Sequence, residues 1–224
     1  MKNDLFYPIV KRKDIQIYFN RDGKFYSDYQ SNYEKVSEDC LKRCVYCDAT
    51  EKECGGDKFS LDHFRPRKIF ASKFNGSLIT HPYNLYLSCQ KCNVLKSSDW
   101  HGCENEINGH TFIGKLGYLD RFAHNYFDYL NIDENGYLLS LNDSSPVDYM
   151  IQRLHLNRPN RVFIRQKRLL KIKAKELLDK IKTIGDDILF QYDTGQLQAE
   201  VALSKIRNMQ RLQHMIMEFY DITP

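Results

Sequence analysis

No stretch of this 224-residue chain approaches the roughly 20 consecutive apolar residues that cross a bilayer, which argues against a helical membrane span. Residues 1–10 carry no long apolar run behind their basic residue, so a secretory leader is not expected and a cytoplasmic location is. A G-x-x-x-x-G-K-[ST] loop is missing, so the chain is not expected to hydrolyse ATP by itself. It also has no internal repeat and no low-complexity segment. Aromatics are not scarce: fifteen Tyr and thirteen Phe argue against general disorder. With 42% hydrophobic and 28% charged residues, the composition is that of an ordinary globular chain. The length suits one compact domain, or a small catalytic module with a helical extension.

Seven cysteines are many for a chain without an export signal, and an odd count argues against a disulfide framework. Metal binding or reactive thiols are the alternatives. The net charge of +4 is uneven. Residues 158–182 hold ten Lys or Arg against Glu176 and Asp179, a local +8, so the remainder sums to −4. Such a concentration suits phosphates or an acidic partner, and equally a solvated helix face.

Three regions follow from the pattern. Residues 1–43 are an N-terminal extension with a candidate hairpin at Asp22-Gly23, flanked by Ile15, Ile17, Tyr18 and Phe19 and then by Phe25 and Tyr26. Residues 44–120 are rich in Gly, Cys, His and Asn and read as a catalytic module. Phe59 to His63 and Asn84 to Leu87 alternate as short strands, the first stopped by Arg65-Pro66. From residue 121 to 224 the chain is expected to be mainly helical. Phe163, Leu170, Ala174, Leu177 and Ile181 form one apolar stripe; Val201, Ile206, Met209, Leu212, Ile216 and Phe219 form another. Gly185 and Asp186-Asp187 are the expected break between the two helices.

Cys44-Val45-Tyr46-Cys47 and Cys89-Gln90-Lys91-Cys92 are two knuckles, each able to give two sulfurs to one tetrahedral ion. A closed four-thiolate site suits structural Zn²⁺. The 41 residues between the knuckles (48–88) exceed a compact ribbon's spacer, so an element is inserted there. A redox Cys-x-x-Cys is the rival reading; neither pair follows an obvious strand-to-helix start, and one zinc accounts for both pairs. Cys40, Cys54 and Cys103 are left as buried small hydrophobes, with Cys40 or Cys54 able to replace a neighbouring ligand.

The insertion contains Leu61-Asp62-His63-Phe64-Arg65-Pro66, a carboxylate beside an imidazole at a strand end. An Asp-His pair alone is more often structural than catalytic. The second half changes the weighing: Asn84 opens a strand, a knuckle follows, and Asn93 leaves it, with Lys96 three residues on. Asp and Asn oxygens are hard donors that favour Mg²⁺ or Mn²⁺, while thiolates favour zinc, so two metals with separate tasks are expected. In phosphodiester hydrolysis a histidine can take the proton of the attacking water. Arg65, Arg67, Lys68 and Lys96 are candidates to neutralise flanking phosphates, or are ordinary surface charges. The other histidines lack such context, His81 and His101 being the nearest to exceptions.

This pattern, Cys-x-x-Cys, then Asp-His, then Asn, then Cys-x-x-Cys-Asn-x-x-Lys, resembles the HNH endonucleases of the ββα-metal fold in their zinc-stapled form. The resemblance implies an α+β fold: a ββα-metal HNH module with four-cysteine zinc knuckles, followed by a mainly α-helical C-terminal region. It implies His63 as general base, Asp62 and Asn93 as ligands of the catalytic metal, and Asn84 as the residue holding the loop that carries His63. Asn93 stands where the name-giving motif has His, which moves the expected metal towards the hard cations. A narrower resemblance rests on Leu61 to Arg67, Asn84 to Cys89, and Leu154-His155-Leu156-Asn157 with basic helices after it. These look like the PtuB family, the nuclease subunits of Septu anti-phage systems that also occur with some retrons. The likeness covers roughly residues 43–171 and implies a partner ATPase of the PtuA type. Hydrolysis of DNA in phage defence is the resulting expectation, with RNA such as transfer RNA, or a non-catalytic zinc module binding nucleic acid or protein, as alternatives.

Overall fold

The computed structural model describes residues 5–19 and 30–220. The chain divides into two compact units between residues 165 and 166. That boundary falls inside a helix. The N-terminal segment and residues 121–165 therefore share a unit with the cysteine-rich segment, instead of forming an extension and part of a separate region. Long-range bonds explain the merger. Tyr7 donates to the carbonyl of Tyr46, Arg12 to that of Leu85, and Arg121 to Asp48.

In the first unit the hairpin expected at Asp22-Gly23 lies outside the described residues. Its leading flank is not a strand: Ile15–Tyr18 is a 3₁₀ turn, started by the Asp14 carboxylate accepting from the Gln16 amide. Helix α1 (Tyr33–Asp39) follows. Its buried Asp39 accepts from Tyr18 and Lys13 and lies 3.5 Å from Arg12. Arg12 in turn sits 3.7 Å from the Phe122 ring centre, so the N-terminal arm is tied down by ion pairs and aromatic faces together.

Strand β1 (Ser60–His63) pairs antiparallel with β2 (Leu85–Ser88), setting Asp62 opposite Tyr86 and His63 opposite Leu85. Between them lie α2 (Arg67–Phe70), begun at Pro66, and two 3₁₀ turns. Helix α3 (Gln90–Lys96) starts immediately after β2, with Cys89 as its N-cap residue. Every residue of β2 is buried, so this strand is covered on both faces.

Residue 121 does not begin a helical region. Two further antiparallel pairs occur, β3 (Phe112–Ile113) with β4 (Leu116–Gly117) and β5 (Leu130–Ile132) with β6 (Leu138–Ser140). The Asp133 carboxylate turns the last hairpin by accepting from the amides of Asn135 and Tyr137, chemistry that the apolar periodicity does not register. Helices begin only at α4 (Val147–Arg153) and α5 (Pro159–Asp193). Between them Leu154 and Leu156 are buried, and Asn157 brackets Leu138 of β6 through both its amide oxygen and nitrogen.

The second unit contains the rest of α5 and α6 (Ala199–Phe219). Helix α5 runs straight through Gly185, and the break falls at Gly195, whose φ of +74° suits a residue without a Cβ. Gly185 serves packing instead: a Cβ there would lie 3.0 Å from the Met209 methyl. The buried seam is Ala174, Ile181 and Ile216, flanked by Leu178, Met209 and Tyr220. Phe163, Leu170 and Leu177, placed by periodicity on the same stripe as Ala174 and Ile181, are 41–54% exposed. The true stripe is rotated, because a wide apolar arc on a helix does not say which of its edges meets a neighbour. Ile181→Ala is therefore expected to destabilise the helical pair by about 2–4 kcal/mol. Leu177→Ala should cost under about 1 kcal/mol, since Leu177 is 41% exposed and stands outside the buried seam. Urea midpoints of the two variants check this, and equal losses would return the stripe to Leu177.

Candidate zinc centre and the strand–loop–helix site beside it

The first knuckle folds because its backbone closes on itself. The Cys44 amide donates to Ala49, the Asp48 amide donates back to Cys44, and Val45 donates to Leu87 of β2. Asp48 takes a left-handed conformation (φ +60°), and its buried carboxylate is clamped by Arg43 at 2.9 Å and Arg121 at 3.0 Å. The second knuckle opens a helix, with Cys89 at the N-cap and Cys92 one turn in. That pair does follow a strand directly, against expectation, yet its sulfurs meet the other pair instead of standing alone.

The four sulfurs of Cys44, Cys47, Cys89 and Cys92 all lie within 4.8 Å of one another and all four residues are buried. Cys47 and Cys89 are 3.8 Å apart. A tetrahedral ion with Zn–S bonds of about 2.3 Å has sulfur–sulfur edges of about 3.8 Å. The donor set and its spacing thus fit zinc, and the closed set of four leaves no place for a reactive water.

Two arginines complete this centre. Arg161 donates from Nε to Cys47 (3.2 Å) and from Nη2 to Cys89 (3.5 Å) and Cys54 (3.0 Å). Arg158 reaches Cys92 at 3.7 Å and Cys89 at 3.8 Å. Burial alone would lower both guanidinium pKa values, but the thiolates raise them instead. The sulfurs respond to one another too. Burial would raise Cys47, yet hydrogen bonding from Cys44 brings it down to about 7, and Cys89 is held far below the ordinary thiol range by Cys44 and Cys47. Four thiolates around a divalent ion carry a net −2, which two guanidinium groups balance.

These arginines come from the basic stretch, which the structure sorts by residue type. Arg161, Arg165 and Arg168 are buried and Arg158 is half-buried, whereas the six lysines of residues 158–182 are exposed. Arg165 holds the carbonyls of Gly136 and Leu156. Sequence reasoning misses this inner role; the spacing of Arg158, just before α5, and of Arg161 and Arg165 within it, at steps of three and four, is the available signal. Of the spare cysteines, Cys40 is buried, accepts from the Leu87 amide, and has its thiol pushed up to about 11 by burial. Cys54 and Cys103 are only half-buried.

Beside the zinc centre the chain places the Asp-His pair. Asp62 is buried and its Oδ2 accepts from Tyr46 Oη (2.6 Å), the residue inside the first knuckle. Lys96 Nζ lies 3.2 Å from the same oxygen and donates to the His63 carbonyl at 3.0 Å. Lys96 is fully buried, so the expectation that it meets a substrate phosphate does not hold: its ammonium is engaged inside the fold. Arg65 is likewise buried, with Nη1 and Nη2 donating to the carbonyls of Cys103 and Gly109, and is not a surface phosphate contact. Arg67 and Lys68 are exposed.

Asn84 closes the loop after β1. Its Oδ1 accepts from the Arg65 amide (2.8 Å), and its Nδ2 donates to the carbonyls of Arg65 (3.1 Å) and Leu78 (2.9 Å). His63 is half-buried, and its Nε2 lies 2.7 Å from the Ile79 carbonyl. A carbonyl only accepts, so Nε2 carries the proton and Nδ1 the lone pair. Asn93 lies in the first turn of α3, half-buried. His81 and His101 stand apart from this site: His81 accepts from the Tyr83 amide, and His101 bonds Tyr149 beside Asp99.

Comparison with protein-family models, with curated proteins and with solved structures finds no match to this chain. Its chemistry is therefore read from the side chains alone. The four thiols can hold zinc. Asp62 and Asn93 offer hard oxygens of the kind that suit Mg²⁺ or Mn²⁺, with Asp62 Oδ2 already shared between Tyr46 and Lys96. Cys92→Ser is expected to abolish the single equivalent of zinc, read by metal analysis, and to unfold the first unit. Arg161→Gln should retain zinc but release it at roughly 10–100-fold lower chelator concentration, the scale for an outer-shell partner. Unchanged chelator resistance would show that the guanidinium does not support the ion.

Proposed function

We propose that this chain is an HNH-type endonuclease with a structural zinc, acting in the cytoplasm as the cutting subunit of an anti-phage system. The observation that carries the reading is the antiparallel β1–β2 pair running directly into α3. It brings an Asp-His strand end, a loop-closing Asn84 and a helix bearing Asn93 onto one frame stapled by four thiols. A zinc module that merely binds has no use for this set.

His63 is the general base. With Nε2–H held by the Ile79 carbonyl, Nδ1 is the nitrogen that takes the proton of the attacking water, and the fixed ring cannot swap tautomers without losing that bond. Asn84 is a positioning residue: it fixes the loop from Phe64 to Leu78 and so the end of the strand that carries His63. Asn93 and Asp62 would hold a hard divalent cation, which when bound stabilises charge on the scissile phosphate and the departing 3′ oxygen. Lys96 and Tyr46 hold and orient the Asp62 carboxylate through its Oδ2. Arg67 and Lys68, exposed beside the loop, neutralise flanking phosphates. The six exposed lysines of α5 offer an electrostatic surface for nucleic acid or for an acidic face of a PtuA-type ATPase. DNA is the substrate we favour by analogy with the HNH type; RNA presents the same phosphodiester.

Purified full-length protein should cut plasmid DNA in Mn²⁺ or Mg²⁺, with the ATPase added in a parallel arm. His63→Ala should lower the rate by about 10²–10⁴-fold while keeping its zinc. Transfer RNA in a matched reaction decides between the two polymers. Intact DNA and RNA under every condition, from protein that holds its zinc, would replace this reading with that of a binding module.

A further inference from the structure

The second unit buries little of its apolar surface. Among its described residues, 166–220, the buried apolar side chains are Ala174, Ile181 and Ile188 of α5 and Ala202 and Ile216 of α6. Two helices share one seam, and a seam this small leaves the pair marginal, because helices in water depend on packed apolar faces.

A second set of apolar side chains stands beside the seam. Leu170, Leu177 and Ile184 recur every seven residues along α5 and are 41–53% exposed. Val201, Leu212, Met215 and Phe219 of α6 are 43–80% exposed. At about 100° per residue, the α5 set is turned about 40–80° from its seam and the α6 set about 65–125° from its own, in the same rotational sense. The helices run antiparallel: the short turn 194–198 joins them, Gly185 abuts Met209, and Ala174 and Ile216 share one cluster. In antiparallel helices an equal rotational sense means the same side, so the two sets form one apolar face across the hairpin. Seam and face together are what half of a four-helix bundle presents to the other half.

Area and charge select the occupant. Seven large side chains, at roughly 100 Å² of remaining exposure each, offer about 700 Å² per copy, close to the ~800 Å² that one partner gives a standard interface. A second identical hairpin supplies the matching half. Residues 166–182 hold seven Lys or Arg against Glu176 and Asp179, a net +5. Residues 183–193 hold Asp186, Asp187 and Asp193 and no basic residue, a net −3. A helix of opposite charge at its two ends complements a second copy of itself when the two run antiparallel.

The register follows. Because Gly185 abuts Met209, a two-fold axis crossing α5 at Ile184 crosses α6 near Met209. It sets Ile184 against its own copy and brings Val201 within about one turn of the partner's Phe219. Lys180 then comes level with the partner's Asp187. Both residues are exposed and lie within about 60° of Ile184 around the helix. Asp187 accepts from Gln191 at 2.8 Å, and among the described residues neither Lys180 nor Asp187 belongs to an ion pair.

We propose that the α5–α6 hairpin is a homodimerisation element. Two copies pack face to face as an antiparallel four-helix bundle, α5 on α5 and α6 on α6, about an axis at Ile184. The inference uses nothing from the cleavage reading.

Sedimentation equilibrium of the zinc-loaded full chain tests it. Wild type should dimerise reversibly, with a dissociation constant on the order of micromolar for an interface of this size. Ile184→Glu should weaken association by about 100-fold or more, because two carboxylates would meet at the axis. Leu189→Glu is the control: Leu189 is 48% exposed and stands about 140° around α5 from Ile184, so association should be unchanged. Zinc content and far-UV helicity should match wild type in both variants. Lys180→Asp and Asp187→Lys should each weaken self-association by about 3–10-fold. An equimolar mixture of these two should recover wild-type affinity, because opposite charges meet again in the mixed dimer. A wild type that stays monomeric to about 100 μM would overturn the proposal. So would wild-type association of Ile184→Glu, or a mixture no tighter than its components.

Discussion

Four sulfurs that must share one centre set the terms for the first unit. Two come from a turn that closes before β1, and two from the start of α3, so the chain between them has to leave and return within a few ångströms. Only an inserted element whose two ends lie side by side satisfies this, and an antiparallel pair of strands is such an element. The hairpin and the sulfur cluster therefore constrain each other. The Val45 amide donating to Leu87 joins the first knuckle to β2 directly, which makes the cluster and the sheet one structure.

Around that centre, charge is balanced in layers. Thiolates are faced by Arg158 and Arg161 on one side, while Asp48, at the end of the first knuckle, is faced by Arg43 and Arg121. Tyr46 then carries the connection from the knuckle to Asp62, and Lys96 from α3 meets the same carboxylate. The Asp-His strand end is thus supported from the zinc side by two groups that never reach solvent. Removing either partner would leave a buried charge uncompensated, a much larger effect than deleting a surface ion pair.

Much of this is legible in the sequence, and the failures have physical causes. The two knuckles and the strands at Ser60–His63 and Leu85–Ser88 follow from spacing and alternation, which are local properties, and the helix carrying Asn93 from the resemblance to the ββα-metal fold. The β5–β6 pair escapes such a reading because it depends on an Asp133 turn and on Asn157 from outside the hairpin. The helix break falls elsewhere than expected because glycine signals either a cap or a close approach, and at Gly185 it is the close approach to Met209. Arg65 and Lys96 look like surface cations in the sequence because composition cannot show which basic residues find carbonyl or carboxylate partners inside. The arginines of residues 158–168 illustrate the same limit: their count suggests an outward field, and their burial turns that field inward.

The pairing of permanent cations with conditional anions has a consequence for how the protein exists in a cell. Arginine stays charged whether or not metal is present, while all four cysteines together become anionic only when an ion claims their protons. Without a divalent ion to draw the four sulfurs together, the two guanidinium groups would face a cluster of crowded, mutually repelling sulfurs, a state that favours opening over waiting. For a cluster that holds zinc, supply of the metal would then set how much of the chain stays folded as well as its form.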